Sequence, residues 1–457
     1  MKPNQGTSTA VGAAAVVSAI LVGAALFGIL SFYSLSSTVS NTGGSSPASK
    51  QAETTTATTT GKTNSSIVTV NPTGCGPSNE SVKFVNMTFP APTSSQPASL
   101  PDVQTGNATP VGNTQRGFPL NGMQQRKVFS ADGLTWIFYS DGKDMVYQTS
   151  RDGNIWSSQV NVTAQPKGFH FSIWYDPGSN TVYYVNTDGF SCGFWYGWGH
   201  TDSDGRITWG IKEGFVPTGP FGTNPYIYAN GKDVWVSLQT GGGDDIEVWR
   251  FNDSIWARRL VIPTMLGSVS ILLPLSSGIA LVYGVGNYRP YSQNITTTVD
   301  GGKTWSPPVS TRELYITQSA VSVANTVYFV GVDKSLDLRF VSYTLGDSSV
   351  GKDEIVASGV YRGVISTDGA SELAVVYADN SSIYYRSLSL PVEKWSPERL
   401  LLTAPSPLPM HPPQSSPYLN CDPLIIPYLS PNNRLPVVWL FGNNPFVLMF
   451  SVASLPT

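Results

Sequence analysis

Three kinds of side-chain chemistry can be sought directly in the 457 residues: metal coordination, nucleophilic or acid–base catalysis, and stacking against a ligand ring. Residue type and spacing dispose of the first. Three histidines and three cysteines, Cys75, Cys192 and Cys421, with no Cys-X-X-Cys pair, cannot assemble a zinc site of the usual spacing, so neither metal nor cofactor is expected. Outside a cell two of these cysteines would pair. Cys75 ends a flexible stretch and reaches a partner most readily, and Cys421 opens the last apolar segment, so Cys75 with Cys421 is the expected disulfide. For stacking, residues 192–200, CGFWYGWGH, crowd Phe194, Trp195, Tyr196 and Trp198 together. Strand alternation puts Phe194, Tyr196 and Trp198 on one face and Trp195 on the other. One face must be core, and Trp195 and Trp198 are the candidates for contacting a ligand. The thirty acidic residues do not localise the facing carboxylate pair that glycosidases need. A net charge of −3 with 12% charged residues gives no basic footprint for nucleic acid, which is not an expected partner.

The elements that would position these residues are marked by tryptophan. Trp156, Trp209, Trp256, Trp305 and Trp395 each follow a short polar turn and precede a strand-like run. The first four beats fall at nearly constant spacing, and the longer gap before Trp395 fits two repeats, with a missing beat near Lys352 to Ala357. Between the beats lie β-forming runs broken by Gly, Asp or Asn turns, such as TWIFYSDGKDMVYQTS and IWYDPGSNTVYYVNTD, which read as hairpins. Four strands per repeat of about 40 to 50 residues is the pattern of a β-propeller.

TVDGGKTW, Thr298 to Trp305, matches the Asp-box pattern Ser/Thr-X-Asp-X-Gly-X-Thr-Trp, and SRDGNIW and SDGRITW are degenerate copies. The chain thus resembles the sialidases and other BNR-repeat propellers. The resemblance implies a structural role for Asp152, Trp156, Asp204, Trp209, Asp300, Gly302 and Trp305. The carboxylate would close the turn, glycine supply positive φ and tryptophan pack between blades. Seven blades are expected, with six as the alternative. After Trp395 the chain supplies three strands without a fourth, and residues 81–92, SVKFVNMTFPAP, echo the run after Trp156 (VNMT against VNVT). They are expected to close the last blade and remove the open sheet edge.

Sialidases, as the resemblance implies, clamp a substrate carboxylate with three arginines and use a tyrosine nucleophile activated by a glutamate, with an aspartate as acid/base. Arg126 is in register for the first arginine, though Gln125 and Val128 beside it are not the family residues; Arg289, a short way before TVDGGKTW, stands where a second could lie, and Arg362 is the third candidate. Tyr361 is the tyrosine, and Asp141 or Asp144 stands for the acid. The glutamate is missing, because the corresponding hairpin SVSILLPLSSGIALVYG has none. A tyrosine of ordinary pKa, about 10, is a poor nucleophile without a base beside it.

The remaining organisation is amino-terminal. Residues 1–9 form a short leader, and 10–33 hold an uncharged apolar run long enough to cross a bilayer. Residues 34–74 are a Ser/Thr-rich stalk that cannot bury a core, and 75–457 are the propeller. Lys2 ahead of the span leaves the amino terminus inside and the propeller outside, at the cell membrane. Asn-X-Ser/Thr acceptors at Asn64, Asn79, Asn86, Asn107, Asn161, Asn252, Asn294 and Asn380 suit an exported surface. The expected function is a membrane-anchored extracellular propeller that binds a surface glycan or protein, with a sialidase-like exo-glycosidase as the alternative.

Overall fold

The computed structural model describes the strand-rich region from residue 108 to 455, with breaks in several connections, together with Val82–Lys83. The expected span at 10–33 and the stalk at 34–74 lie outside the described residues. Among the described residues the fold is all-β. Seven antiparallel sheets follow one another along the chain, which is a seven-bladed β-propeller.

Each blade consists of successive strands. Blade 1 comprises Val128–Ala131, Leu134–Ser140, Met145–Ser150 and Val160–Asn161, and blade 2 comprises His170–Asp176, Thr181–Thr187, Gly193–Thr201 and Ile207–Pro217. Blades 3, 4 and 5 run from Thr223 to Pro263, Ser270 to Leu314 and Gln318 to Ser358. Blade 6 runs from Arg362 to Thr403, and blade 7 contributes Leu424–Ile425, Arg434–Phe441 and Phe446–Ser454. The repeat without a tryptophan is blade 5, whose outer strand is Asp353–Ser358.

The ring closes as expected in kind but through a different segment. Thr109–Thr114 pairs antiparallel with Phe446–Ser454 and is the outer strand of blade 7. Val82–Lys83, inside the run expected to do this, pairs instead with the outer strand of blade 3, Val82 opposite Trp256 and Lys83 opposite Ile255. Thr109–Thr114 has the buried side chains a closing strand needs: Val111 and Thr114 are buried against the seam, and the Thr114 hydroxyl donates to the Ser140 carbonyl of blade 1 at 2.8 Å. The shared VNXT pattern misled because it records strand composition and not strand partner.

Continuous burial explains why the strands read as apolar runs. One cluster links blades 2 to 5, and a second joins blades 6, 7 and 1 across the closure. Two smaller clusters fill the seams between blades 1 and 2 and between blades 5 and 6. The apolar contact therefore runs right round the ring.

Candidate functional site

The two ends of the ring differ chemically. At one end lie the turns between third and fourth strands, three of which are closed by an aspartate carboxylate. In blade 4, Asp300 Oδ1 accepts the amides of Lys303 and Thr304 at 2.9 and 3.0 Å, and Oδ2 accepts the Thr304 hydroxyl at 2.6 Å. The hydroxyl and amide of Thr304, with Thr298 and Lys303, hold the Asp300 carboxyl far below the usual carboxylate range. Asp152 does the same in blade 1, accepting from Ile155 and Asn154 amides at 2.8 Å, which lower its pKa. Gly302 sits at φ +81, and a Cβ there would meet the Trp235 ring at 3.0 Å, so glycine is required on two counts.

Blade 2 corrects the residue expected there. Asp204 is exposed, and the carboxylate that closes the turn belongs to Asp202, which accepts from the Asp204 and Arg206 amides at 2.9 Å each. Four of the five turn tryptophans act between blades. Trp305 lies edge-on to Trp235 of blade 3 at 6.4 Å, and Trp156 to Phe450 of blade 7 at 5.2 Å. Trp395 reaches Phe340 of blade 5 at 5.3 Å, and Trp256 reaches Phe194 of blade 2 at 5.2 Å. Trp209 instead meets Tyr184 of its own blade at 5.7 Å, beside the seam with blade 1.

The opposite end carries the links from one blade to the next and the turns between second and third strands. Strand alternation brings Arg126, Asp141, Asp144, Tyr361 and Arg362 to this end. Arg126 precedes the inner strand of blade 1, its guanidinium carbon 4.0 Å from the Trp174 ring centre of blade 2 and 5.7 Å from that of Tyr226 of blade 3. Beside it, buried Lys127 donates to the Gln125 side chain at 2.9 Å and to the Leu120 carbonyl, with its ammonium 4.5 Å from the Phe171 ring centre. Gln125 donates to the Pro225 carbonyl of blade 3 at 3.1 Å. Three consecutive polar residues thus bind the inner strands of three blades together.

Of the carboxylates expected to serve as acid, Asp141 is fully engaged, and Asp144 keeps one buried oxygen without a hydrogen bond among the described residues. Asp141 Oδ1 accepts the amides of Lys143 and Asp144 at 2.8 Å, and Oδ2 accepts the Gln159 amide at 2.7 Å. Asp144 is 6% exposed and accepts the Asn161 side chain at 3.1 Å. Tyr361 immediately precedes the inner strand of blade 6 and packs on the core between blades 6, 7 and 1. Among the described residues no carboxylate hydrogen-bonds its phenol. The Arg362 side chain is buried and donates to the Tyr361 carbonyl at 2.7 Å. Arg289 lies outside the described residues.

The aromatic cluster divides as alternation requires. Phe194, Tyr196 and Trp198 are buried, Phe194 and Tyr196 against Trp256 of blade 3, so Trp198 belongs to a core-facing row. Trp195 is half-buried against Phe215 of its own blade, with ring centres 5.0 Å apart. Cys192 is in a disulfide, which excludes the expected Cys75–Cys421 pair, since each cysteine forms one such bond. Sequence order showed which cysteine was on a tether but not that Cys192 stands at a blade's loop end.

Sequence reasoning missed Trp174, Tyr226, Gln125 and Glu247. Glu247 is a buried carboxylate in blade 3 that accepts the Trp249 indole at 2.7 Å and pairs with Arg258 at 3.2 Å. Its signal was an acidic residue inside the apolar run IEVW.

No family model matches the chain, and no curated protein does. Among solved structures it is similar to a lectin from Burkholderia pseudomallei, at 12% identity over 77% of this chain and 97% of that one, with a TM-score of 0.51. It is similar also to an ulvan lyase, a polysaccharide lyase bound to a GlcA(1-4)Rha3S saccharide, at 11% identity over 78% of this chain and all of that one, TM-score 0.51. A Hadza microbial sialidase matches at 12% identity over 60% of this chain and 67% of that one, with a TM-score of 0.42. At such identities the first two likenesses speak of architecture alone, and they agree with the strand order in making this chain a β-propeller.

Proposed function

We propose that this chain is a surface-tethered propeller that binds a displayed ligand, a glycan or a protein, in adhesion, recognition or surface assembly, and does not hydrolyse glycosidic bonds. One observation carries the reading: Tyr361 has no carboxylate partner among the described residues, while both oxygens of Asp141 accept within its own blade, from Lys143, Asp144 and Gln159. A hydrolase needs a base beside its tyrosine and an acid free to move a proton. A binding protein needs neither. Its requirements are a rigid ring and a loop-built face.

The tether rests on the uncharged run at 10–33 and the stalk at 34–74, and the outward orientation on Lys2. A glycan ligand is suggested by the lectin and lyase with the same architecture, and by the half-buried Trp195 at the loop end of blade 2. Binding of the full-length protein to an immobilised glycan array tests this. Retained glycans supported by a Trp195→Ala loss are the expected result. An array with no signal, together with measured turnover of a sialoside, would replace this reading with the exo-glycosidase.

A further inference from the structure

The eight Asn-X-Ser/Thr acceptors are equivalent in sequence, and the structure separates those it describes. Asn294 is 8% exposed in the third strand of blade 4; its oxygen accepts the Ser310 hydroxyl at 2.7 Å and its amide donates to the Ser292 carbonyl at 3.3 Å. The hydroxyl of the same triplet, on Thr296, donates to the Ser306 carbonyl at 2.7 Å. A glycan on Asn294 could not coexist with this blade. Asn161 is exposed, but its amide nitrogen is the side-chain donor to buried Asp144, whose other oxygen is buried without a partner. Modifying it would disturb the only side-chain donor that carboxylate has among the described residues.

Asn252 differs on every point. It ends the third strand of blade 3 at the hairpin tip, at the Asp-box end of the ring, and is exposed. In blades 1, 2 and 4 this turn is closed by the Asp152, Asp202 and Asp300 carboxylates. In blade 3 it is closed by the backbone, the Ser254 amide donating to the Asn252 carbonyl at 2.7 Å. Among the described residues nothing hydrogen-bonds the Asn252 side chain, and Ser254, the triplet's hydroxyl residue, is equally uncommitted. Among the described residues, the side chain at this turn position is committed to no hydrogen bond and is exposed.

We infer that Asn252 carries an N-linked glycan in the mature protein, and that Asn294 and Asn161 do not. The inference rests on the outward location proposed above. The amide nitrogen of Asn252 attacks the anomeric carbon of a lipid-phosphate-linked oligosaccharide. The new C–N bond forms as the C–O bond to phosphate breaks, the phosphate leaves with the electron pair, and one amide proton passes to base. Because the tip lies at the Asp-box end, the glycan projects away from the end that holds Arg126 and Tyr361.

The test is intact-glycopeptide mass spectrometry on full-length protein from its own membranes, with protease shaving of intact cells as a separate reading of location. The expected result is a saccharide adduct on the Asn252 peptide, lost in Asn252→Gln and in Ser254→Ala, kept in Ser254→Thr, with bare Asn294 and Asn161 peptides. A bare Asn252 peptide overturns the inference, whether or not the stalk acceptor Asn64 is modified. Shaving then shows which idea failed: a ring released from intact cells leaves the location standing, and a protected one removes both.

Discussion

The Trp156 indole of blade 1 stands edge-on to the Phe450 ring of blade 7 with centres 5.2 Å apart, so a turn tryptophan holds the first blade to the last. Phe450 is fully buried, and removing its ring leaves a cavity in the closing seam. Phe450→Ala should cost about 3–5 kcal/mol. A double-mutant cycle with Trp156→Ala should give a coupling of about 0.5–1.5 kcal/mol in denaturant melts. Additive effects would show that the two rings touch without holding the seam.

Closure by Thr109–Thr114 predicts a sharp boundary for truncation. A chain starting at residue 95 keeps the outer strand of blade 7 and should lose only what the segment before it, including Val82–Lys83 on blade 3, contributes. One starting at residue 117 exposes the edge of Phe446–Ser454 and should lose several kcal/mol, well beyond the roughly ±0.5 of a surface change. Equal melting of the two would contradict the strand assignment.

In blade 2, Asp202 takes the turn-closing role expected of Asp204. Asp202→Ala removes the acceptor of two backbone amides and should cost about 1–2 kcal/mol, whereas Asp204→Ala should stay within about 0.5. Thermal melts of the two variants decide it, and the reverse order would return the turn to Asp204.

Acidification should act through the other two boxes. Their carboxyls have folded pKa values depressed by turn donors, below an unfolded value of about 3.9. Depressed values contribute stability in full above the unfolded pKa and lose it as pH falls through the folded one. The Asp152→Asn, Asp300→Asn double variant should therefore lose less stability than the native chain below about pH 4. Parallel acid titrations would count against this.

Much of this architecture was legible because a turn tryptophan marks five of the seven blades, and the turn's chemistry is local. For Asp300, Gly302 and Trp305 the acceptor, the positive φ and the ring all act within or next to one hairpin, the range over which spacing is informative. The partners were not legible. Which strand closes blade 7 and which cysteine pairs depend on residues far apart in sequence, and which aspartate of TDSDG closes the turn depends on its exact backbone path; pattern likeness is blind to all three. Thus 81–92 looked like a closing strand while Thr109–Thr114 does the work. At the loop end the sequence found Arg126 and Tyr361 but not Trp174 or Tyr226, whose pairing with Arg126 exists only once three inner strands lie side by side.

The central claim, that the ring binds and does not hydrolyse, is tested most directly by turnover of a fluorogenic sialoside across pH 3 to 8. Full-length protein is compared with Tyr361→Phe and Arg126→Ala. A working sialidase would lose turnover by orders of magnitude in both variants. Here no hydrolysis above buffer is expected from any of the three, because no described carboxylate hydrogen-bonds Tyr361 and both oxygens of Asp141 accept within its own blade. Hydrolysis by the native chain that vanishes in both variants would contradict the account.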